Sequence, residues 1–220
     1  KGCYLETKKA DNSLFCLYKL CQIRYNKTIY ERRWDEMDVS EKMKYKMSDK
    51  GIRLLTVGRL TYQKGYDVAV YALKELVNHG FDVNWYILGD GPEYQTLAAL
   101  AVKEGVDSRF HLLGAVDNPY PYYKAADIYV HATRFEGKSI AIQEAQVLGC
   151  AIIASDCSGN REQINDGVDG ILCGFTPAGI ADGIEKLITN PALATKFRMA
   201  SAEKQINHLE ELQNIYGMMR

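Results

Sequence analysis

Short apolar runs alternate with amphipathic, helix-like segments from residue 51 to the carboxyl end of this chain, and this alternation limits its fold more than any other feature. Apolar stretches of strand length are predicted at 53–57, 82–88, 110–113, 128–131, 151–154 and 171–173. Helices are predicted at 66–78, 92–103, 120–125, 139–148, 177–189, 191–207 and 209–219. Strands that alternate with helices in this way form a parallel sheet that is covered on both faces. The sequence therefore predicts an α/β fold with a doubly wound, Rossmann-like parallel sheet over residues 51–220.

Residues 1–50 do not share this pattern, and we interpret them as a linker or remnant segment that is partly helical. Five apolar side chains recur at helical spacing on one face: Leu14, Leu17, Tyr18, Cys21 and Tyr25. The opposite face of this helix is basic. In the favoured interpretation the helix packs on the domain, and in the alternative it rests on an anionic membrane surface. A second helix is predicted near 40–47.

Charge and cysteine content limit the class of protein. The net charge is −1, which gives no indication of nucleic-acid binding. The six cysteines include no Cys-x-x-Cys pair and no metal-ligand spacing, so a cytoplasmic location is expected, with the inner membrane surface as an alternative. No run of about 18 apolar residues occurs, so no transmembrane helix is predicted.

Glycines and charged residues follow the predicted strands, in the loops where parallel sheets bind their ligands. They are Gly58, Arg59, Lys64, Gly65, Gly89, Gly91, Glu136, Gly137 and Gly159. This coincidence carries more weight than any single residue. It predicts that the loops form one ligand site.

Arg59 and Lys64 place two cations in the first loop, which reads Val-Gly-Arg-Leu-Thr-Tyr-Gln-Lys-Gly at 57–65. An arginine fork and a mobile ammonium group can together neutralise a pyrophosphate without a metal ion. Solvated loop cations are an equally good interpretation of these two residues alone. The loop has neither Gly-x-Gly-x-x-Gly nor Walker spacing, so dinucleotide and ATP binding are not indicated.

Glu136 and Glu144 are eight residues apart, on either side of a predicted helix start. At about 1.5 Å per residue this is roughly 12 Å, enough for two carboxylates to contact opposite ends of one extended polar ligand. Backbone N–H groups of residues 137–140 would lie between them and face an anion. An anion flanked by hydroxyl groups describes a nucleotide-sugar, although solvated glutamates explain the same spacing. His131, near Glu136, is interpreted as a structural hydrogen-bonding residue in preference to a site group.

Three motifs occur in order along the chain: Val57-Gly-Arg-Leu with Lys64-Gly, Gly89-Asp-Gly-Pro, and Glu136-Gly-x₆-Glu144-Ala. Because of these motifs, residues 52–219 resemble the C-terminal, donor-binding domain of the retaining glycosyltransferases of family 4, also called glycosyl transferases group 1. The resemblance covers about three quarters of the chain. It implies the C-terminal half of the two-domain GT-B fold.

The resemblance also implies roles for the matched residues. Arg59, Lys64 and Glu136 form the expected catalytic set, with the cations on the donor diphosphate and the carboxylate on the donor sugar. The expected donor-binding set is Gly58, Arg59, Lys64, Gly89, Gly137, Lys138, Ser139, Ile140 and Glu144, with Glu144 on the ribose. No metal or other cofactor is expected. The family retains the anomeric configuration and is thought to react on the front face of the donor, where the donor phosphate helps to deprotonate the acceptor.

Lys138-Ser139 departs from the commoner aromatic-Gly pair of this family. The substitution adds a cation near the expected position of the donor sugar. We therefore expect it to alter the choice of donor.

Three functions stay open at this point. The first is the donor-binding domain of a glycosyltransferase that uses a UDP-, GDP- or ADP-sugar and acts on a saccharide or lipid-linked acceptor in polysaccharide biosynthesis. The acceptor-binding domain of the family, on the order of another 150 residues, is not found in this sequence, so the chain is expected to be a fragment. The second is a non-catalytic nucleotide-sugar-binding module that acts with a separate acceptor-binding chain. The third is an unrelated α/β enzyme or an interaction protein.

Overall fold

Six strands form one parallel sheet in the computed structural model, which describes residues 43–201 and 203. The strands are β1 (Ile52–Val57), β2 (Val83–Leu88), β3 (Phe110–Gly114), β4 (Ile128–His131), β5 (Ala151–Ser155) and β6 (Ile171–Cys173). Their order in the sheet is β3-β2-β1-β4-β5-β6, and every neighbouring pair is parallel. The strand order reverses between β1 and β4. The predicted doubly wound, Rossmann-like fold is confirmed.

Helices connect these strands. They are α1 (Tyr66–Asn78), α2 (Tyr94–Glu104), α3 (Tyr120–Ala125), α4 (Ile140–Val147), α5 (Ser158–Arg161) and α6 (Pro177–Ile188), and α7 is described over residues 191–201. The predicted bounds of α1 and α3 are confirmed at both ends. The helix predicted to begin at Pro92 begins two residues later, and for α5 the sequence indicates only a candidate helix start near Glu162. The helix predicted at 209–219 lies outside the described residues.

The start of α6 shows how local sequence sets a helix boundary. Pro177 is the first helical residue, where its missing N–H is not needed and its fixed φ favours the helix. The Thr176 hydroxyl accepts a hydrogen bond from the Gly179 N–H at 3.0 Å. A cap of this kind contributes about 1 kcal/mol. The predicted start at Pro177 is therefore confirmed for a local reason.

Two apolar layers cover the sheet. Because successive strand residues point to opposite faces, Leu54 and Leu55 of β1 are both fully buried but belong to different clusters. The Leu54 cluster contains the apolar faces of α1, α2 and α6, and the Leu55 cluster contains those of α3 and α4. Each such leucine contributes about 1.5–3 kcal/mol when it is fully buried. With both faces of the sheet covered, its carboxyl edge is left as the place where polar loops meet.

Residues 43–50 pack on the second of these layers without forming a helix. The Tyr45 N–H donates to the Tyr122 hydroxyl at 2.9 Å, and the Ser48 N–H donates to the Tyr86 hydroxyl at 2.7 Å. The helix predicted near 40–47 therefore does not occur in its described part. The predicted basic helix and its alternative membrane contact lie outside the described residues. Among the helices that the structure describes, none has the length and apolar character needed to cross a membrane.

Candidate functional site

The loops after β1 and β2 meet at the carboxyl edge of the sheet through backbone contact. The Gly58 N–H donates to the Leu88 carbonyl at 2.9 Å. A Cβ atom on Gly89 would lie 1.9 Å from the Gly58 carbonyl oxygen, and Gly89 has a φ of +148°, a conformation that glycine adopts without strain. A Cβ atom on Gly91 would lie 2.3 Å from the Leu60 carbonyl oxygen. Gly58, Gly89 and Gly91, which the sequence analysis assigns to the loops of the site, therefore allow the two loops to pack together.

A short 3-10 turn, Tyr62–Lys64, places the Lys64 side chain at this edge. The turn ends at Gly65, which has a φ of +62°, and α1 begins at the next residue. Tyr66 is buried, and its hydroxyl donates to the Gly58 carbonyl at 3.0 Å. The side-chain carbons of Lys64 also lie beside Gly58. The loop therefore folds back on its own first residue and holds Lys64 near the end of β1.

Hydrogen bonds join this turn to the loop after β4. The Thr133 hydroxyl donates to the Gln63 carbonyl at 2.9 Å, and the Arg134 N–H donates to the same carbonyl at 2.8 Å. The Arg134 guanidinium donates to both carboxylate oxygens of Asp67, at 2.9 and 2.6 Å, and its central carbon lies 3.9 Å from the centre of the Tyr62 ring. Bidentate pairs of this kind have a defined geometry. The two loops are therefore held in one relative position.

Glu136 lies where these two loops meet, and one of its oxygens receives two hydrogen bonds. The Lys64 ammonium group and His131 Nε2 both contact Glu136 Oε2, the imidazole at 3.2 Å. Burial works to raise the pKa of the Glu136 carboxyl, but the hydrogen bonds from His131 and Lys64 outweigh it and lower the pKa to about 2. Glu136 is therefore ionised at neutral pH. Its other oxygen, Oε1, receives no hydrogen bond from a described residue.

His131 lies at the end of β4 and is buried. Its Nδ1 atom lies 3.2 Å from the Tyr129 hydroxyl, which is also buried. Burial lowers the pKa of His131, so the imidazole is neutral at pH 7. The prediction treated His131 as a structural residue, whereas the structure places it in contact with Glu136. The sequence signal that could have linked His131 to Tyr129 is their spacing of two residues, which puts both side chains on one face of the strand.

Glu144 lies in the middle of α4 and also contacts a buried tyrosine. The Tyr123 hydroxyl donates to Glu144 Oε2 at 3.1 Å. The ring centres of Tyr123 and Tyr129 are 5.3 Å apart. Buried side chains therefore connect the two glutamates, through His131 and Tyr129 on the side of Glu136 and through Tyr123 on the side of Glu144.

The start of α4 is only partly available to a ligand. The Ser139 N–H donates to the side-chain oxygen of Gln163 at 2.6 Å, and the Gln163 amide donates to the Ser139 carbonyl at 2.9 Å. The N–H that Ser139 was predicted to offer is therefore already used. The N–H groups of Gly137, Lys138 and Ile140 have no acceptor among the described residues. The start of the helix thus keeps part of its capacity to bind an anion.

The short helix α5 packs against the loop that carries Glu136. A Cβ atom on Gly159 would lie 2.2 Å from the carbonyl oxygens of both Glu136 and Gly137. Any side chain at position 159 would therefore displace this loop. The sequence identifies Gly159 only as a glycine that follows a strand, and no local signal indicates this contact.

Arg59 and Lys138 are exposed cations that differ from Lys64 in their contacts. Within the described part of the chain, neither Arg59 nor Lys138 forms an ion pair or a hydrogen bond through its side chain. Arg59 follows the end of β1, as predicted, and Lys138 precedes the start of α4. Between residues 43 and 201, and at residue 203, no three His, Cys, Asp or Glu side chains are grouped so that they could hold a metal ion. As far as the structure describes the chain, the loops thus combine unpaired cations and free N–H groups with an ionised carboxylate, an arrangement suited to an anion that also carries hydroxyl groups.

Comparisons with known proteins identify the family and the fold that this chain resembles. A family model described as glycosyl transferases group 1 matches residues 39–204. An alpha-D-kanosaminyltransferase from Streptomyces kanamyceticus is 29% identical over 153 residues, which are 68% of this chain and 39% of that protein. The structure of HepE from Anabaena in complex with UDP has a TM-score of 0.70 at 20% identity and covers 77% of this chain and 48% of that one. The C-terminal domain of LpcC, a group 1 glycosyl transferase family protein from Francisella tularensis, has a TM-score of 0.63 at 24% identity and covers 69% of this chain and 83% of that one.

The chain spans about two fifths of the length of the curated relatives that it matches. It spans about half of the HepE chain but most of the LpcC domain. At these sequence identities the structural likeness shows the fold. The family model, in contrast, matches well over half of the chain in sequence.

Proposed function

The chain belongs to the glycosyl transferases group 1 family, and from this premise we propose that it is the donor-binding domain of a retaining glycosyltransferase. The domain binds a nucleotide-diphosphate sugar, and the sugar passes to a saccharide or lipid-linked acceptor without the help of a metal ion. The observation that carries the proposal is the contact of Lys64 and His131 with Glu136 at the point where the strand order reverses. Open α/β sheets bind their ligands at such a point. The likeness to the LpcC C-terminal domain supports the position of this domain within the family.

The cations of the first loop account for binding of the diphosphate. Arg59 is exposed and has no partner among the described residues, so its guanidinium can form paired hydrogen bonds with phosphate. The Lys64 ammonium group has three N–H donors and uses one of them on Glu136, which leaves donors for a phosphate oxygen. Both cations would stabilise the negative charge that develops on the departing diphosphate. This is the catalytic role that we assign to them.

Glu136 acts in this proposal as a hydrogen-bond acceptor for the donor sugar. A pKa of about 2 leaves the carboxylate without a proton to donate at neutral pH, so general-acid catalysis by Glu136 does not fit. Its Oε2 atom is engaged by Lys64 and His131, and its Oε1 atom is available to sugar hydroxyls. Donor binding therefore brings the sugar to Glu136 and the diphosphate to Lys64, two groups that are already in contact.

The start of α4 and Glu144 are the remaining parts of the proposed donor site. The free N–H groups of Gly137, Lys138 and Ile140 are suited to phosphate or sugar oxygens. Glu144, oriented by the Tyr123 hydroxyl, binds the ribose hydroxyls. Gly58 and Gly89 contribute by letting the first two loops approach closely, so that no side chain stands between the backbone and the phosphates.

The test is calorimetric titration of this chain with UDP, GDP and ADP, first with a chelator and then with magnesium. UDP is the leading nucleotide because the similar HepE structure is a complex with UDP. We expect one nucleotide to bind with the same affinity in both conditions. No binding of any nucleotide would contradict the proposal, and binding that requires magnesium would contradict its metal-independent part. Retention is tested separately, from the anomeric configuration of the product in a transfer reaction measured by NMR.

A further inference from the structure

A buried pair of side chains, Tyr129 and His131, lies behind Glu136. Both residues belong to β4 and, two positions apart, share one face of the strand. Their exposed fractions are 0% and 2%, and their ring centres are 6.1 Å apart. The pair belongs to the interior of the domain, yet His131 Nε2 reaches the half-buried carboxylate of Glu136. A hydrogen-bonded connection therefore runs from the core to the site.

The direction of each hydrogen bond in this connection follows from the protonation states. Glu136 is ionised, so it cannot donate to His131, and the proton between them belongs to His131 Nε2. The imidazole is neutral, so Nδ1 carries no proton and accepts from the Tyr129 hydroxyl. Burial raises the pKa of Tyr129 well above its usual range, and the hydroxyl keeps its proton. One tautomer of His131, protonated at Nε2, satisfies both contacts.

The two groups that contact Glu136 Oε2 differ in what a bound donor would do to them. Lys64 comes from a loop and would be shared with the diphosphate once a nucleotide binds. His131 comes from a central strand and is closed off from solvent, so a ligand has no direct access to the imidazole. We therefore expect the bond from His131 to persist when the site is filled.

We propose that His131 is a positioning residue, which holds Glu136 Oε2 through its Nε2–H and so keeps Oε1 turned toward the donor sugar. The proposal rests on the proposed function and adds a residue outside the expected site to it. The proposal distinguishes the contribution of the sugar to binding from that of the nucleotide. Loss of the His131 bond should weaken the contribution of the sugar to binding and leave the contribution of the nucleotide almost unchanged.

A matched pair of variants tests this role. In His131→Gln the side-chain amide can place a donor near the position of Nε2. In His131→Asn the side chain is one bond shorter, so its donor cannot reach Glu136. Both variants put an uncharged amide into the same buried position. His111→Gln is the control, because His111 is a partly buried histidine of β3 that stacks on Tyr86 and contacts Asn84. Thermal unfolding of all three variants checks that they are folded.

Calorimetry with UDP-glucose and with UDP gives the first readout. We expect His131→Asn to bind UDP-glucose about tenfold more weakly, equivalent to about 1.4 kcal/mol, while its affinity for UDP changes by less than about twofold. His131→Gln and His111→Gln should keep the wild-type ratio of the two affinities. Equal losses for both ligands in His131→Asn, or equal ratios in the Asn and Gln variants, would overturn the positioning role.

The second readout needs no ligand. Nitrogen-15 NMR of the imidazole, assigned by comparison with His131→Gln, should show a neutral ring protonated at Nε2 at neutral pH. A cationic ring, or a ring protonated at Nδ1, would overturn the proposal. The failure of wild-type protein to bind either UDP or UDP-glucose would contradict the proposed function, and the NMR result would still report on the arrangement of His131 by itself.

Discussion

Gly159→Ala provides the sharpest test of how this site is supported. The added Cβ atom would lie 2.2 Å from two carbonyl oxygens, those of Glu136 and Gly137, and Cβ atoms essentially never approach closer than 3.0 Å to another heavy atom. Relief of the clash therefore needs a shift of about 1 Å between α5 and the loop that carries Glu136. Both contacted atoms are backbone, so rotation of a side chain cannot absorb the shift.

Two consequences follow from that displacement. Overpacking of this size destabilises a protein by about 1–3 kcal/mol, so the free energy of unfolding of Gly159→Ala should fall by that amount. The shift also moves the Glu136 carboxylate relative to Lys64 and His131, which are held by other elements. The affinity for a sugar-nucleotide should then fall by about tenfold or more, the equivalent of one hydrogen bond to a charged group.

Denaturant unfolding and calorimetry with UDP-glucose and UDP measure the two effects. Gly174→Ala is the matched control, because Gly174 also follows a strand end but a Cβ atom there would meet no atom within 4 Å. We expect the control to resemble wild type in both assays. If Gly159→Ala had wild-type stability and wild-type affinity for UDP-glucose, the inference that α5 supports the Glu136 loop would be refuted.

Three further predictions concern other parts of the domain. Arg59→Ala and Lys64→Ala should each weaken UDP binding by about 1–3 kcal/mol without loss of folding, and unchanged calorimetric affinity in both would contradict the phosphate assignment. Glu144→Ala should weaken binding of UDP but not of pyrophosphate, and equal losses for the two ligands would argue against a ribose contact. A hydrogen bond with Glu185 raises the pKa of His79, so this pair stabilises the fold fully below the unfolded pKa of about 6.5, and the contribution is lost as pH rises through the folded pKa. The unfolding temperatures of wild type and His79→Gln, measured from about pH 5 to about pH 9, should therefore converge at high pH. A constant difference between the two proteins across this range would exclude the linkage.

Where the sequence predicted elements well, the signal was local. Helix α1 was predicted at 66–78 and is found at Tyr66–Asn78, because its apolar residues recur with helical period between two glycines. The error at Pro92 has a tertiary cause. The Glu93 N–H donates to the Leu60 carbonyl at 3.2 Å, and this contact with the first loop holds the chain in a turn until Tyr94. Helix α5 is four residues long, too short to show a period.

Predictions for the candidate site also succeeded where the sequence signal is local and failed where a contact depends on tertiary structure. The sequence identified Arg59, Lys64 and Glu136 from their places after strands and Glu144 from its spacing of eight residues from Glu136, and the structure places Lys64 beside Glu136. It did not identify the contact of Glu136 with His131, since a lone histidine at the end of a strand carries no sign of its partner. Nor did it predict that Gln163 would occupy the N–H of a helix start, because these groups are far apart in the chain.

The sequence by itself determined that this chain forms a parallel α/β sheet with charged loops at one edge, since strand and helix periods are local properties that each segment displays alone. The tertiary structure decided which loops share a site. Lys64 and Glu136 are 72 residues apart and meet because β1 and β4 are neighbours in the sheet, although β2 and β3 lie between them in the chain. No local period records which strands pair. Both the low pKa of Glu136 and the buried position of His131 follow from that pairing.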